Sequence, residues 1–246
     1  VNISKNVWFL DQSVVESGGW PTFISHEIFP YVQFNIEHGH FVPNYFLHVI
    51  GEGMLYRKLE EWYRAHGVEW ARLSALGTIF FSQFLNEAVE NGSFEGPNTD
   101  PIADLVFFNP LGWILFSLDS VSQFFSETIP MGFWPGQPSL DLTTMSLYNA
   151  GEGYFFRRGF ELLEPISLFA YIGSEGLGGL SWKINSSDSL TVAAGYRVVW
   201  LAATGLPDYR QMNAVEPGNW LGGIFWDRDD SLLLSVLCGA GAEPTL

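Results

Sequence analysis

Apolar residues recur at spacings of three and four up to about Glu127 and at spacings of two from about Leu140, which predicts a helical first part and a stranded second part. Between Pro43 and His66, the residues Phe46, Val49, Ile50, Met54, Leu55, Leu59 and Trp62 keep the helical period, and Gly67 ends the helix. A second helix is predicted from Glu69 to Glu90, with Leu73, Leu76, Phe80, Phe84 and Ala88 on one stripe and Asn91-Gly92 as the stop. Asp100-Pro101 starts a third, since Asp caps well and Pro suits the first helical position. Pro110 should kink or interrupt it, and a last helical piece is expected from Leu111 to Glu127.

From Leu190 to Trp200 the even positions Leu190, Val192, Ala194, Tyr196, Val198 and Trp200 are mostly large and apolar, while Thr191, Ala193, Gly195 and Arg197 between them are small or polar. The same phase runs through Leu180, Trp182 and Ile184, through Trp220, Ile224 and Trp226, and through Leu232, Leu234, Val236 and Cys238. Turns at Asn185–Asp188 and Asp227–Asp230 join these runs as hairpins require. The expected fold is α+β: an N-terminal helical domain over residues 1–130, then an antiparallel β-meander over residues 140–246 that forms a sheet or partial, barrel-like structure. Two environments fit the alternation. An apolar outer face with aromatic strand ends is the signature of a transmembrane β-barrel, and Tyr154, Phe156, Trp182, Trp200, Trp220 and Trp226 lie where an aromatic girdle would sit. A water-soluble sheet with its large face packed on the helices has the same period. About six or seven strands fall short of the usual minimum of about eight for a closed barrel. Either other strands complete it or the sheet is open. The one seam is Pro130–Pro138.

Composition fits a protein with an unusually large core or one partly covered by lipid or by other chains. The 246 residues are 47% hydrophobic, 16% aromatic and only 15% charged, against roughly 25% charged in an ordinary soluble domain. A formal charge of −16 with 11 Lys and Arg argues against nucleic acid as a partner. The single Cys238 excludes an intrachain disulfide and is expected to be a buried, inert small hydrophobe. No run reaches the roughly 20 apolar residues of a transmembrane helix. The start at Val1 is what a trimmed, exported mature chain would show.

The chemistry concentrates in Leu73–Phe156, which carries Glu87, Glu90, Glu95, Asp100, Asp104, Asp119, Glu127, Asp141 and Glu152 and not one Lys or Arg. Acids among apolar runs such as Leu105–Phe108 must reach water, accept N–H bonds, bind a cation or stay protonated. Glu87, Asp100, Asp104 and Asn109 therefore form either a structural polar seam or a site. As a site, Glu87, Glu90 and Asp104 could act as acid and base in hydrolysis, or hold a divalent cation. As structure, Asp100 caps a helix, Asp104 meets its dipole and Glu87 is hydrogen-bonded. His38, His40, His48 and Glu52 are weaker metal candidates; His48 and Glu52 share a helical face, but the spacing matches no zinc signature. No nucleophile elbow or phosphate loop is present, and no motif demands a cofactor.

The order Asn44–His48, Gly53, Arg64–Gly67, Ser82–Glu87, Pro97–Asp104 and Asn109–Gly112 resembles a bacterial cell-envelope family known only as a domain of unknown function, and Glu87, Asp104, Asn109 and Gly112 are distantly similar to a VanZ-like helical module. Two features depart from that pattern: Asn86 replaces an aromatic, and the Asp104 to Asn109 spacing is one residue longer. The resemblance implies an exported envelope protein in or against the outer membrane, with membrane lipid and other envelope subunits as partners, and implies no activity. Together with the composition it leads to the expectation of a non-enzymatic outer-membrane or membrane-associated component of a larger assembly. The alternative is a lipid- or glycan-acting hydrolase built on a Glu/Asp pair with metal assistance.

Overall fold

The computed structural model describes residues 2–29, 42–90, 95–134, 138–141, 146–149, 153–173, 175–197, 199–202, 211–214 and 220–239. Its chain forms two compact units, one built on Val1–Ser122 and the other on Gln123–Thr204 and Gln211–Leu246.

In the first unit, α1 (Asn2–Trp8), α2 (Leu10–Glu16) and α3 (Trp20–Phe23) lead into a wide π-helical turn, Ile24–Ile28. A π-helical stretch, Val42–Gly51, runs directly into α4 (Glu52–Ala65), and α5 covers Ala71–Glu90. Then come α6 (Asp100–Ile102), a π-helical turn Ala103–Phe108, and α7 (Asn109–Phe116). Pro110 sits in the first turn of α7, where its missing N–H costs little, and the widened turn before it takes up the interruption expected at this proline. The helix from Asp100 starts one residue earlier than Asp-Pro capping predicts: Thr99 is the cap residue and Asp100 is the first helical residue. Beyond it, α8 (Asp119–Gln123) follows a break at Ser117-Leu118. Among the described residues, no single helix is long and apolar enough to cross a membrane.

Helix α5 buries the face opposite to its apolar stripe. Ala71, Ala75, Ile79, Gln83 and Glu87, each four residues after the last, are buried, while Leu73, Phe80, Phe81 and Leu85 are exposed. The small and polar stripe faces inward because it packs against α4 and carries the acid of the polar seam. Helix α7 comes close enough to the Val42–Ala65 rod that a Cβ on Gly112 would lie 2.4 Å from the Val49 carbonyl oxygen, and one on Gly53 would lie 2.4 Å from Phe116 Cδ2. Only glycine permits that approach, and it brings the start of α7 against His48.

The second unit is a curled antiparallel sheet. Its strands are β1 (Met131–Trp134), β2 (Pro138–Asp141), β3 (Ser146–Asn149), β4 (Gly153–Gly159), β5 (Ile166–Ile172), β6 (Glu175–Lys183), β7 (Asp188–Arg197), β8 (Val199–Ala202), β9 (Gln211–Ala214), β10 (Trp220–Arg228) and β11 (Ser231–Gly239). Seven of them, in the order β1-β4-β5-β6-β7-β10-β11, make an antiparallel meander; β2 adds to β11 in parallel, β3 to β2, and β8 pairs with β9 apart from the sheet. In a flat sheet β1 and β10 would stand roughly 24 Å apart, at about 4.8 Å per strand. Instead the Trp134 ring of β1 stacks on Phe225 of β10 with centroids 5.5 Å apart, and Trp134 Nε1 donates to the Asp230 carbonyl at 2.9 Å. The sheet therefore curls into a half-barrel around Trp134, Phe155, Phe169, Tyr171 and Phe225. Gly153 makes room for this interior, since a Cβ there would sit 2.0 Å from the Tyr171 hydroxyl.

Register sorts the two faces of the sheet. Inside lie Ser181, Ser189, Thr191, Ala193, Asp227 and Ser235 beside the aromatic stack. Outside, one row holds Trp182, Leu190, Trp226 and Leu234, the next Leu168, Leu180, Val192 and Ile224, and at the far end Tyr196 pairs with Trp220. All ten of these outer residues are exposed. Cys238, expected to be buried, is exposed because it pairs with Gly222 on the same outer face. Tyr154, expected at an aromatic girdle, lies on the outer face, because it alternates in β4 with the inward-pointing Phe155, but it is wholly buried there beside Phe133, with ring centroids 5.2 Å apart. Trp200 lies in β8, and nothing is described of its side chain.

Candidate functional site

Three elements of the helical unit bring the polar seam together. The buried stripe of α5 delivers Glu87, the first turn of α6 delivers Asp100, and the π-helical turn delivers Asp104; ligand oxygens of these three acids all lie within 4.8 Å of one another. Glu87 and Asp104 are buried and Asp100 is half-buried. His48 joins them from the Val42–Gly51 stretch, with Nε2 3.4 Å from Asp104 Oδ2. Its other nitrogen, Nδ1, is 3.0 Å from Oδ1 of Asn109, the wholly buried first residue of α7. Burial pushes the imidazole down to about 4, outweighing the opposing pull of the Asn109 hydrogen bond, so the ring is neutral near pH 7.

The candidates divide accordingly. Glu87, Asp100 and Asp104 converge, and His48 contacts Asp104 and links it to Asn109. Glu52 is buried at the start of α4 but is not in the group of converging acids among the described residues. Glu90 ends α5 with its side chain outside the described residues, and His38 and His40 lie wholly outside them.

Other buried acids were not singled out from the sequence. Glu60 is buried and accepts from the Tyr56 hydroxyl at 2.8 Å, with Arg64 and Arg72 beside it. Burial and this carboxylate push the Tyr56 phenol up to about 12. The four-residue spacings of Tyr56, Glu60 and Arg64 were the available signal. Glu27 takes a hydrogen bond from Thr99 at 3.1 Å, and its backbone carbonyl takes one from Asn44; nothing in its local sequence marks it. In the sheet unit, Asp227 is buried and is gripped by both terminal nitrogens of Arg157, at 3.2 and 2.7 Å, while the guanidinium lies over Phe155 at 5.1 Å. This pair is separated by 70 residues and carries no local sequence signal. It opens on a polar recess of about 320 Å³ lined by Ser167, Ser181, Lys183 and Ser189.

Chemically, the helical cluster gathers three carboxylates with an imidazole against one of them, whereas the sheet interior is a closed ion pair on an aromatic floor. No protein family, characterised protein or solved structure matches the chain.

Proposed function

We propose that this chain is a non-enzymatic, membrane-associated component of a bacterial cell envelope. Its curled sheet meets outer-membrane lipid, and it serves as a structural subunit of a larger assembly. The observation that carries this reading is the outer face of the sheet. Two aromatic-bearing rows, Trp182 with Trp226 and Tyr196 with Trp220, bracket the aliphatic row Leu168, Leu180, Val192 and Ile224. Trp220 and Trp226 stand near opposite ends of β10, so the rows are roughly 20 Å apart at about 3.4 Å per residue, close to the about 25 Å apolar band of outer-membrane barrels. Polar Asn185, Asp188, Arg228, Asp229 and Asp230 lie past the Trp182–Trp226 row, as residues beyond an apolar band would. The exposed Leu73, Phe80, Phe81 and Leu85 of α5 add apolar surface that lipid or other subunits would cover. A sheet whose described order ends in β1 and β3 leaves strand edges for a partner chain. The bacterial envelope assignment rests on the resemblance carried by residues 44–112.

Density-gradient separation of inner and outer membranes, followed by urea washing, tests the reading. The protein should sediment with the outer membrane and come off only in detergent. Release as a soluble monomer on osmotic shock would refute it.

The hydrolase reading has one observation in its favour, the convergence of Glu87 and Asp104. It requires Glu87→Gln and Asp104→Asn to alter the lipid or glycan profile of cells expressing the protein. Unchanged profiles would remove it.

A further inference from the structure

We propose that the polar recess inside one end of the curled sheet binds a phosphoethanolamine group, the headgroup of a zwitterionic membrane lipid. Ser167 of β5, Lys183 of β6 and Ser189 of β7 line it from the strand ends, and Asp229 and Asp230 reach it from the β10–β11 turn. At about 320 Å³ it is at the small end of ligand pockets, about 300–1,000 Å³, which suits a headgroup rather than a whole lipid.

The charges on the lining select the ligand. Arg157 is already answered, by Asp230 at 2.8 Å and by Asp227 at 2.7 Å. Lys183 and Asp229 have no ion-pair partner among the described residues, and they do not pair with each other although both face the same recess. Arg228 is bonded to Asp188 at 2.8 Å and acts on Asp229 only at longer range. Lys183 stands opposite Ser189, and Ser189 opposite Asp227, so the backbones of Lys183 and Asp227 are two strands apart, roughly 10 Å at about 4.8 Å per strand. An ammonium and a carboxylate on separate walls, with hydroxyls between, complement a ligand that carries both signs. A phosphoryl group gives several acceptor oxygens to Lys183 and to the Ser167 and Ser189 hydroxyls, which make no hydrogen bond among the described residues. The primary ammonium at the ligand's other end donates to Asp229. A simple anion would leave Asp229 unanswered, and a simple cation would leave Lys183 so.

The walls are fixed without a ligand. Asn185 Oδ1 accepts from the backbone N–H groups of Ser187 and Asp188 at 2.9 and 2.7 Å, and the Asp229 N–H donates to the Ser187 carbonyl at 2.9 Å. Lys183 and Asp227 directly follow Trp182 and Trp226, so the recess lies just past that aromatic row. Assigning the group to a lipid rests on the reading of that row as the edge of the apolar band; the recess and its charges do not.

The test titrates the full chain, in a phosphate-free maltoside detergent, with O-phosphoethanolamine and follows the ³¹P resonance. Saturable broadening at about one equivalent per chain is expected, with inorganic phosphate and phosphocholine, whose nitrogen carries no N–H, each at least tenfold weaker. Lys183→Met and Asp229→Asn should each weaken binding by at least tenfold, as loss of a bond to a charged group does. Both side chains are exposed, and Asn accepts the left-handed backbone of Asp229 (φ 48°), so both variants should keep the parent's circular dichroism. Glu61→Gln in the helical unit should bind as the parent does. In a second arm, native mass spectrometry of protein released from bilayers of phosphatidylethanolamine mixed with phosphatidylcholine should show the first lipid retained, and lost in Lys183→Met. No saturable binding, equal binding of inorganic phosphate, or unchanged affinity in either variant would overturn the site. Binding of O-phosphoethanolamine with equal retention of the two lipids would overturn its assignment to a lipid. Failure of the envelope reading is a different result, release of the protein from membranes with the ³¹P titration unaffected.

Discussion

The two units treat buried charge in opposite ways. In the sheet, the one acid that is both buried and described, Asp227, is answered by a forked guanidinium from Arg157, with Asp230 on the same group at 2.8 Å. In the helical unit, the acids Glu87, Asp100 and Asp104 come from a stretch of sequence with no Lys or Arg and approach one another, and Asp104 faces the His48 imidazole. A forked Arg–Asp pair is complete in itself and serves structure. Glu60, beside Arg64 and Arg72, shows that the helical unit also builds the self-contained kind where the sequence supplies arginines.

The difference can be broken from the sheet side first. Arg157→Met strands the buried Asp227 and should cost about 3–5 kcal/mol in unfolding experiments, whereas the double change Arg157→Met with Asp227→Leu should recover most of that loss. A double variant as unstable as the single one would mean the pair does more than satisfy itself. On the outer face, Ile224→Arg should cost about 2–4 kcal/mol in a bilayer and far less in aqueous denaturant with detergent removed from the comparison. Equal costs in both media would show that this face does not meet hydrocarbon.

In the helical unit the expected effects are smaller. Gly112→Ala places a methyl against the Val49 carbonyl and should cost about 1–3 kcal/mol. The other effect in this unit is a pH slope. His48 titrates at about 4 in the fold against its ordinary 6.5, so the unfolded chain takes up a proton first as pH falls. Stability contributed by the neutral ring is intact above pH 6.5, declines between 6.5 and about 4, and is flat below that. Comparing denaturation midpoints of the parent and His48→Gln across that window should show a shallower slope in the variant.

Much of the architecture was legible because it follows from local period. The meander, its hairpin turns and the apolar phase of β6, β7, β10 and β11 came directly from alternation in the sequence. Period alone does not say which face is dry, so the outward orientation of Val192 and Ile224 needed the curl set by Trp134 and its stacked partners. In α5 the helical period was plain but the buried side was not, because the hydrophobic stripe at Leu73 and Phe80 is the exposed one. That inversion is expected where lipid or protein, instead of water, covers a helix. The site was half legible: an acid-rich stretch without cations named Glu87, Asp100 and Asp104, and a weak His/Glu pair named His48. Only the glycine-mediated approach of α7 to the Val42–Ala65 rod joins His48 to them and to Asn109. Arg157 and Asp227 are invisible in the sequence because their partnership spans the curl.

The central claim is that the large-residue face of the sheet meets lipid. With Cys238→Ser as background, a nitroxide on Val192→Cys in reconstituted membranes measures this by collision with oxygen, which concentrates in hydrocarbon, against a water-soluble nickel chelate. The account predicts strong oxygen collisions and little contact with the chelate, with the opposite balance for a label on Asp229→Cys in the β10–β11 turn. Strong chelate contact at Val192 would contradict it.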